Sequence, residues 1–197
     1  MITTKNKDWD SKFRLWRQHS MSVSDTVRHS ANSVIFESYP EIGFNYRMTD
    51  VQAAIGREQL KRLDGIVAVR RAIAARYAAL LDGLDGVFAP REPEWARSNW
   101  QSYAVALDPE IDQRFVMQFM LDHGVATRRG IMCIHLEAAH ADLPQRSLPR
   151  SERARDHTIL LPLYPQMTDE IPGQVVDLLA QALAAEADSR RPMRVSA

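Results

Sequence analysis

The sequence predicts an α/β protein, and three observations support that fold class. Apolar residues recur at three- and four-residue steps from Asp50 to about Leu84, which is typical of a long amphipathic helix. Beyond residue 100, short apolar runs typical of strands alternate with shorter helical patterns. Of the 197 residues, 45% are apolar and 25% are charged, a composition that is normal for a chain with a buried core. The length allows one large domain or two small ones.

The first part of the chain predicts three elements and one long connection. Residues 1–4 suit a strand, and residues 8–19 suit a helix. The apolar contacts of that helix come from Trp9, Phe13, Leu15 and Trp16. Residues 20–39 show little periodicity, and a connection of this length favours a functional or partner-contacting loop. The long helix follows later and ends at two glycines, Gly83 and Gly86.

The start of the long helix is the clearest local signal. Thr49 can accept hydrogen bonds from the first helical turn, and Gln52 completes a capping box. Just before this cap, Asn45 and Arg47 place an amide and a guanidinium close together in the sequence. Such groups suit an anion such as phosphate or carboxylate. The alternative interpretation is a turn at Asn45 and a solvated charge at Arg47.

The second part of the chain predicts a smaller α/β arrangement. Prolines make residues 88–99 irregular, because proline fixes φ and removes a backbone donor. Gly124 suits the C-terminal end of a helix. The elements expected beyond residue 100 are strands at 102–107, 125–128 and 159–161 and helices at 111–122, 151–158 and 169–187, the last one capped by Thr168. The tail that follows has no apolar pattern, and we expect it to be disordered.

Charge and cysteine usage narrow the classes of partner. Twenty-five basic residues balance twenty-five acidic ones, so nucleic acid and anionic membranes are not expected partners. A single cysteine, Cys133, excludes an internal disulfide framework. The first residues lack the layout of a signal peptide, and the apolar runs are far shorter than the ~20 residues that span a bilayer. We therefore expect a cytoplasmic protein.

Cys133, His135 and His140 raise the question of a metal site or a nucleophile. Structural zinc needs four ligands at recognisable spacings, and a fourth ligand is not evident, so we expect no metal. On a strand, Cys133 and His135 would point to the same face without forming a reliable nucleophile–base pair. We expect a packed, inert thiol.

Four motifs occur in a fixed order along the chain. The first is Asn-Tyr-Arg-Met-Thr-Asp-Val-Gln-Ala-Ala, from Asn45 to Ala54. The others are Trp-Gln-Ser-Tyr-Ala-Val at 100–105, the segment 123–132 with His135, and Leu-Leu-Pro-Leu-Tyr-Pro at 160–165. Together they resemble the PLP-dependent sugar aminotransferases of the DegT/StrS type, over residues 1–187. These enzymes have the fold-type-I aminotransferase architecture.

The resemblance implies a domain organisation. Residues 1–84 would hold the C-terminal part of the large PLP-binding domain together with a long linking helix. Residues 85–187 would form the small α/β C-terminal domain, and residues 188–197 a disordered tail. The chain therefore resembles the C-terminal half of an aminotransferase.

The resemblance also implies site residues. The family asparagine that matches Asn45 reaches the phosphate of pyridoxal 5′-phosphate (PLP) across a homodimer interface, and Arg47 approaches the same partner site. A histidine in the position of His135 lies near the substrate. Arg128 or Arg129 could contact the diphosphate of a nucleotide sugar, but adjacent strand residues face opposite sides and the sequence does not choose between them.

The Schiff-base lysine of the family lies in the half that has no counterpart in this sequence. The chain's own lysines, Lys5, Lys7, Lys12 and Lys61, have no desolvated or cationic setting that would keep an amine neutral. We therefore expect no catalytic residue here and no independent transfer of an amino group from a donor such as glutamate to a nucleotide-linked keto-sugar. The alternative is a non-catalytic interaction subunit that completes a site in trans with a separate N-terminal half or an intact homologue.

Overall fold

A computed structural model describes residues 2–142, 144 and 146–190, apart from the side chains of Asp25, Thr26 and His29. The chain divides into two units between Lys61 and Arg62. Helices and a small sheet are both present, so the predicted α/β class is confirmed. No helix in these described stretches combines the length and the apolar character needed to cross a membrane.

The described residues of the first unit form three helices, α1 (Lys7–Trp16), α2 (Asp25–Ser30) and α3 (Asp50–Lys61). Asn6 caps α1, since its side chain accepts from the backbone N–H groups of Asp8 and Trp9 at 2.9 and 3.1 Å. Residues 2–4 are not a strand. A strand requires a hydrogen-bonded neighbour, and none of the described strands pairs with them, so that prediction is wrong for this chain.

The capping box is confirmed, but the long helix is not continuous. Gln52 N–H donates to the Thr49 hydroxyl at 3.3 Å, and Thr49 N–H donates to the Gln52 side chain at 3.0 Å. The predicted helix 50–84 is two helices, α3 and α4 (Leu63–Leu81), separated by Arg62. Arg62 has φ −93° and ψ −9°, away from ideal helical values, which explains the interruption.

In the described part of the second unit, four short strands form an antiparallel sheet in the order β1-β2-β4-β3. The strands are β1 (Val87–Phe88), β2 (Tyr103–Leu107), β3 (Arg128–Arg129) and β4 (Thr158–Leu161). Tyr103 pairs with Leu161 in the centre of the sheet. The predicted strand at 125–128 is displaced toward the C-terminus, because only Arg128 and Arg129 lie opposite β4.

Helices cover this sheet and complete its core. They are α4, α5 (Gln113–Asp122), α6 (Pro149–Asp156) and α7 (Ile171–Arg190), with 3-10 turns at Ile134–Leu136 and Ala138–His140. The buried apolar residues are Ile73, Ala74, Tyr77 and Leu81 from α4, Val87, Tyr103, Val105, Leu107, Ile159 and Leu161 from the strands, Val116 and Met120 from α5, Met167, and Val175, Val176, Leu179 and Ala182 from α7. Burial of this apolar surface stabilises the unit.

The C-terminal end of the second unit modifies one prediction. Because α7 continues to Arg190, the predicted disorder is wrong for residues 188–190, and residues 191–197 lie outside the described part of the chain. The α4 helix packs on α7 within this unit. The predicted assignment of residues 1–84 and 85–187 to two domains stays a prediction.

Two arginines of α4 fix the irregular connection that precedes β2. Arg71 makes a two-point ion pair with Glu92, both N–O distances being 2.8 Å, and the backbone N–H of Ser98 also donates to Glu92. Arg70 donates to the carbonyl of Gln101 at 2.8 Å. These contacts hold a segment without regular secondary structure against α4, directly before the strand.

Candidate functional site

Asn45 and Arg47 lie together in the first unit. The Nε–H of Arg47 donates to the Asn45 side-chain oxygen at 3.2 Å, and both residues are exposed. This bond uses the amide oxygen and leaves the Asn45 NH₂ group as a donor beside a guanidinium. An amide donor next to a guanidinium fits the phosphate end of PLP by its chemistry.

The backbone around Asn45 is held by the end of α1. Tyr46 N–H donates to the Arg17 carbonyl at 2.8 Å, and His19 N–H donates to the Phe44 carbonyl at 2.9 Å. Gly43 passes so close to the backbone of His19 and Ser20 that an added Cβ would lie 2.1 Å from the Ser20 nitrogen. Only glycine therefore fits at position 43 with this backbone path.

Two aromatic rings lie next to the polar pair along the chain. The rings of Phe44 and Tyr46 stack with centroids 5.3 Å apart and an interplanar angle of 10°. Alternation along extended backbone places these rings on one side and the side chains of Asn45 and Arg47 on the other. The segment thus presents an aromatic face and a donor face.

The lysines of the chain do not lie in a desolvated pocket. All four lysine side chains are exposed. The Lys12 ammonium lies 5.1 Å from the centre of the Trp16 ring, and Lys61 pairs with Glu58 at 2.6 Å. A lysine that attaches PLP usually needs a desolvated pocket or a cationic neighbour, and exposed side chains lack the first of these. The residues present therefore fit the phosphate of PLP and not its covalent attachment.

Arg128 and Arg129 line two different grooves of the second unit. Arg128 lines an open groove of about 310 Å³, whereas Arg129 lines one of about 340 Å³ beside Met117 and Leu121 of α5. This separation follows from the alternation of side chains along β3. The structure therefore distinguishes two arginines that the sequence left equivalent.

Three of the sequence motifs meet at the groove of Arg128. Its lining residues are Gln101, Ser102, Ala126, Thr127, Arg128 and 160–163. They come from the motifs at 100–105, 123–132 and 160–165, which are far apart in the sequence and adjacent in the sheet. The buried hydroxyl oxygen of Thr127 has no hydrogen-bond partner among the described residues. The groove is therefore lined by a cation, an amide and hydroxyl groups together with apolar side chains.

His135 lies in the 3-10 turn that follows β3. Its Nε2 is 3.0 Å from a carboxylate oxygen of Glu152 on α6. Cys133 is buried and precedes the same turn, so the expected strand geometry for Cys133 and His135 is wrong. The turn arises because Leu136 N–H bonds back to the Cys133 carbonyl at 2.9 Å.

Sequence reasoning missed two residues that shape these sites. Glu152 contacts His135, and its position in the first turn of a proline-initiated helix was the available signal. Gly43 permits the close approach beside Asn45, and its place before an extended polar segment gave only a weak indication.

The chain matches a model of a known protein family. The model for the DegT/DnrJ/EryC1/StrS aminotransferase family matches residues 1–180, so this chain belongs to that family. The family resemblance drawn from the motifs is confirmed. The chain spans about half the length of the relatives that it matches.

Individual relatives agree with this assignment. The spore coat polysaccharide biosynthesis protein SpsC of Bacillus subtilis is 26% identical over 184 residues, which cover 90% of this chain and 47% of SpsC. The aminotransferase TlmJ of Streptoalloteichus hindustanus shares 28% sequence identity with this chain, and its crystal structure matches with a TM-score of 0.78. The match covers 92% of this chain and 46% of TlmJ. The PLP form of Spr1654 of Streptococcus pneumoniae shares the fold at 17% identity, with a TM-score of 0.79 over 92% of this chain and 45% of that one.

Proposed function

We propose that this chain supplies the C-terminal half of a PLP-dependent sugar aminotransferase. The parent reaction would transfer an amino group from a donor such as glutamate to a nucleotide-linked keto-sugar. The pairing of Asn45 with Arg47, in a chain of an aminotransferase family, carries this proposal. The role of SpsC in polysaccharide biosynthesis, given by its name, supports a sugar substrate.

Asn45 and Arg47 would bind the phosphate of the cofactor held by a second subunit. PLP, when bound, supplies an electron sink for the transfer. The NH₂ group of Asn45 donates to a phosphate oxygen, and the neighbouring guanidinium balances its charge. Both side chains are exposed in this chain, as a contact with a site on another polypeptide requires.

Arg128 would bind the diphosphate of the nucleotide sugar, with His135 nearer to the sugar. The convergence of three family motifs on the groove of Arg128 favours it over Arg129. A guanidinium fork suits paired phosphate oxygens. Gln101 and Ser102, in the same groove, offer further hydrogen-bonding groups.

The cofactor site is tested by comparing two ligands in NMR titrations of the 197-residue chain. PLP should shift the side-chain amide signal of Asn45, and pyridoxal, which lacks the phosphate, should not. Asn45→Ala should weaken PLP binding by about tenfold, the loss expected for a hydrogen bond to a charged group. Equal responses to both ligands would contradict the proposal.

Arg128 and Arg129 provide a matched pair for the substrate site. Uridine diphosphate should bind several-fold more weakly to Arg128→Gln, because the variant loses a charge-assisted contact. Arg129→Gln makes the same change in charge in the other groove and should bind as the wild type does. Equal weakening in both variants would indicate only a general effect of net charge.

The chain alone should not attach PLP covalently. PLP followed by borohydride should give no stoichiometric adduct in mass spectrometry, since all four lysines are exposed and none lies in a desolvated pocket. A single modified lysine would overturn this part of the proposal and identify the residue that attaches the cofactor.

A second candidate function is a non-catalytic interaction subunit. The exposed apolar side chains of the first unit favour it, because patches of this kind mark interaction surfaces. The chain would complete a site in trans with a separate N-terminal half or an intact homologue. Mixing the chain with the N-terminal half of TlmJ should then give transamination that neither piece has alone, and Asn45→Ala should abolish it.

A further inference from the structure

Glu152 joins two ends of the segment that follows β3. A single carboxylate oxygen, Oε1, lies 3.0 Å from Nε2 of His135 and 2.8 Å from the backbone nitrogen of Leu148. His135 belongs to a 3-10 turn, and Leu148 immediately precedes α6. One oxygen atom therefore accepts from both the start and the end of this segment.

The protonation state of Glu152 decides the direction of these bonds. The backbone N–H of Leu148 and then the His135 ring hold the pKa of this carboxyl below its usual range, and Arg155 on the same helix adds a favourable charge. An ionised carboxylate can only accept hydrogen bonds. His135 must therefore donate from Nε2, which makes Nδ1 the nitrogen with the lone pair in the neutral ring.

The ring of His135 has little freedom to adopt another arrangement. Its side chain is 15% exposed, and it is tied to the same oxygen as a backbone group. No other hydrogen bond of His135 occurs within the described residues. A change at Glu152 would therefore alter the state of His135 directly.

We propose that Glu152 is a positioning residue that fixes His135 as the Nε2–H tautomer and so presents Nδ1 as an acceptor for a hydroxyl group of the substrate sugar. A nitrogen that accepts selects a hydroxyl donor and does not bind a phosphate oxygen. The hydroxyl assignment rests on the proposed function, whereas the tautomer does not. The two parts are therefore tested separately.

The tautomer is measured by ¹⁵N NMR of the His135 ring in the full 197-residue chain at alkaline pH. The wild type should show a proton on Nε2, protected from solvent exchange. Glu152→Ala should give a mixture of tautomers and faster exchange of that proton by about tenfold, as expected for a lost hydrogen bond. The amide of Leu148 should lose protection at the same time, since it shares the oxygen.

Two variants separate the positioning of His135 from an effect of charge and from a general loss of stability. Glu152→Gln keeps an acceptor oxygen of the same shape and should retain the Nε2–H tautomer. Glu137→Ala removes an exposed carboxylate from the same loop and should behave as the wild type does. A wild-type proton on Nδ1, or an unchanged ring in Glu152→Ala, would overturn the proposal.

The hydroxyl assignment is tested by titration with two probes, UDP-glucose and uridine diphosphate. UDP-glucose should shift the Nδ1 signal of His135, because it carries sugar hydroxyl groups. Uridine diphosphate alone should leave that signal unchanged. A response to uridine diphosphate, or none to UDP-glucose, would overturn the hydroxyl assignment and leave the tautomer result standing. Failure of the proposed function would instead appear in the PLP and pyridoxal titrations of Asn45.

Discussion

The two units of the chain are stabilised in different ways. Among the described side chains of residues 1–61, only Ser20 and Met21 are buried. The second unit buries apolar residues from three helices and three strands in one core. It therefore contains the apolar burial that a folded domain needs, whereas local hydrogen bonds and caps define the first unit. A region that presents candidate binding residues can thus be ordered locally and still lack a core of its own.

The exposed apolar residues of the first unit are large. Phe36 is 92% exposed, and Val34 and Ile42 are each 85% exposed. The other large apolar residues exposed in this unit are Ile2, Trp9, Val27, Tyr39, Phe44, Tyr46, Met48, Val51, Ile55 and Leu60. Surface of this kind promotes association, so the comparison of the two units predicts different responses to mutation.

Truncation of a core leucine should have the largest effect. Leu179 on α7 is fully buried, so Leu179→Ala should lower the free energy of unfolding by about 2–5 kcal/mol. Leu60→Ala makes the same change on α3, where the side chain is 58% exposed, and should change it by less than about 0.5 kcal/mol. Urea denaturation of both variants measures the difference. Equal losses would show that the two units are not stabilised differently.

A substitution at Gly43 should act on the first unit alone. The Cβ of Gly43→Ala would overlap the Ser20 backbone, and relief of such overpacking costs about 1–3 kcal/mol. Hydrogen exchange should show loss of protection at His19 and Tyr46, with the amide of Val105 in the second unit unchanged.

Gly56→Ala is the control for this effect. Gly56 lies in α3 and an added Cβ would meet nothing within 4 Å, so alanine should stabilise the helix by about 0.5–1 kcal/mol. If Gly56→Ala also reduced the hydrogen-exchange protection of His19 and Tyr46, the effect of Gly43→Ala would not be steric.

Two buried tyrosines should differ by the hydrogen bond that one of them makes. Tyr77 donates to the Pro162 carbonyl at 2.8 Å, so Tyr77→Phe should cost about 1 kcal/mol. The buried hydroxyl of Tyr103 has no partner among the described residues, so Tyr103→Phe should be neutral or stabilising. Thermal unfolding measures both. A larger loss for Tyr103→Phe would show that its hydroxyl is satisfied by water.

The smallest effect should come from acid titration of the Arg71–Glu92 pair. The pKa of Glu92 is lowered from 4.5 to about 2. The hydrogen bond from Arg71 is the largest cause, and the hydrogen bond from the Ser98 N–H is the second. At pH values above the ordinary pKa of 4.5, the lowered pKa of Glu92 stabilises the fold. This stabilisation is lost as the pH falls from 4.5 toward 2. Glu92→Gln should therefore show a flatter dependence of the unfolding free energy on pH in that window.

The control for the acid titration lies in the first unit. Glu58 pairs with Lys61, and both side chains are about two-thirds exposed, at 67% and 68%. Exposed pairs contribute little, so Glu58→Gln should keep the wild-type slope. A flatter slope in this variant as well would mean that the acid effect does not come from the Arg71–Glu92 pair.

Local sequence signals predicted the features that neighbouring residues decide. Thr49 and Gln52 are three residues apart and form the expected capping box. Gly83 and Gly124 follow helix ends and have φ values of 81° and 87°, as a left-handed helix end requires. The sequence also predicted Asn45 and Arg47 as neighbouring anion-binding groups, and the structure places them in contact.

Contacts between distant parts of the chain could not be predicted in this way. Arg71 and Glu92 are 21 residues apart, and the pattern placed Arg71 only on a polar helix face. His135 and Glu152 are 17 residues apart and meet only because α6 returns to the turn after β3. The strand predicted at 1–4 failed for a related reason, since a strand depends on a partner that propensity does not supply.

The alternation at β3 has a consequence for changes in chain length. Arg128 lies opposite Leu160 and Arg129 opposite Ile159, and each arginine lines its own groove. Deletion of one residue between α5 and β3 that shifts the pairing by one position would exchange the two guanidinium groups between the grooves. An insertion or deletion there could therefore move a positive charge from one surface to the other while the composition of the strand stays the same.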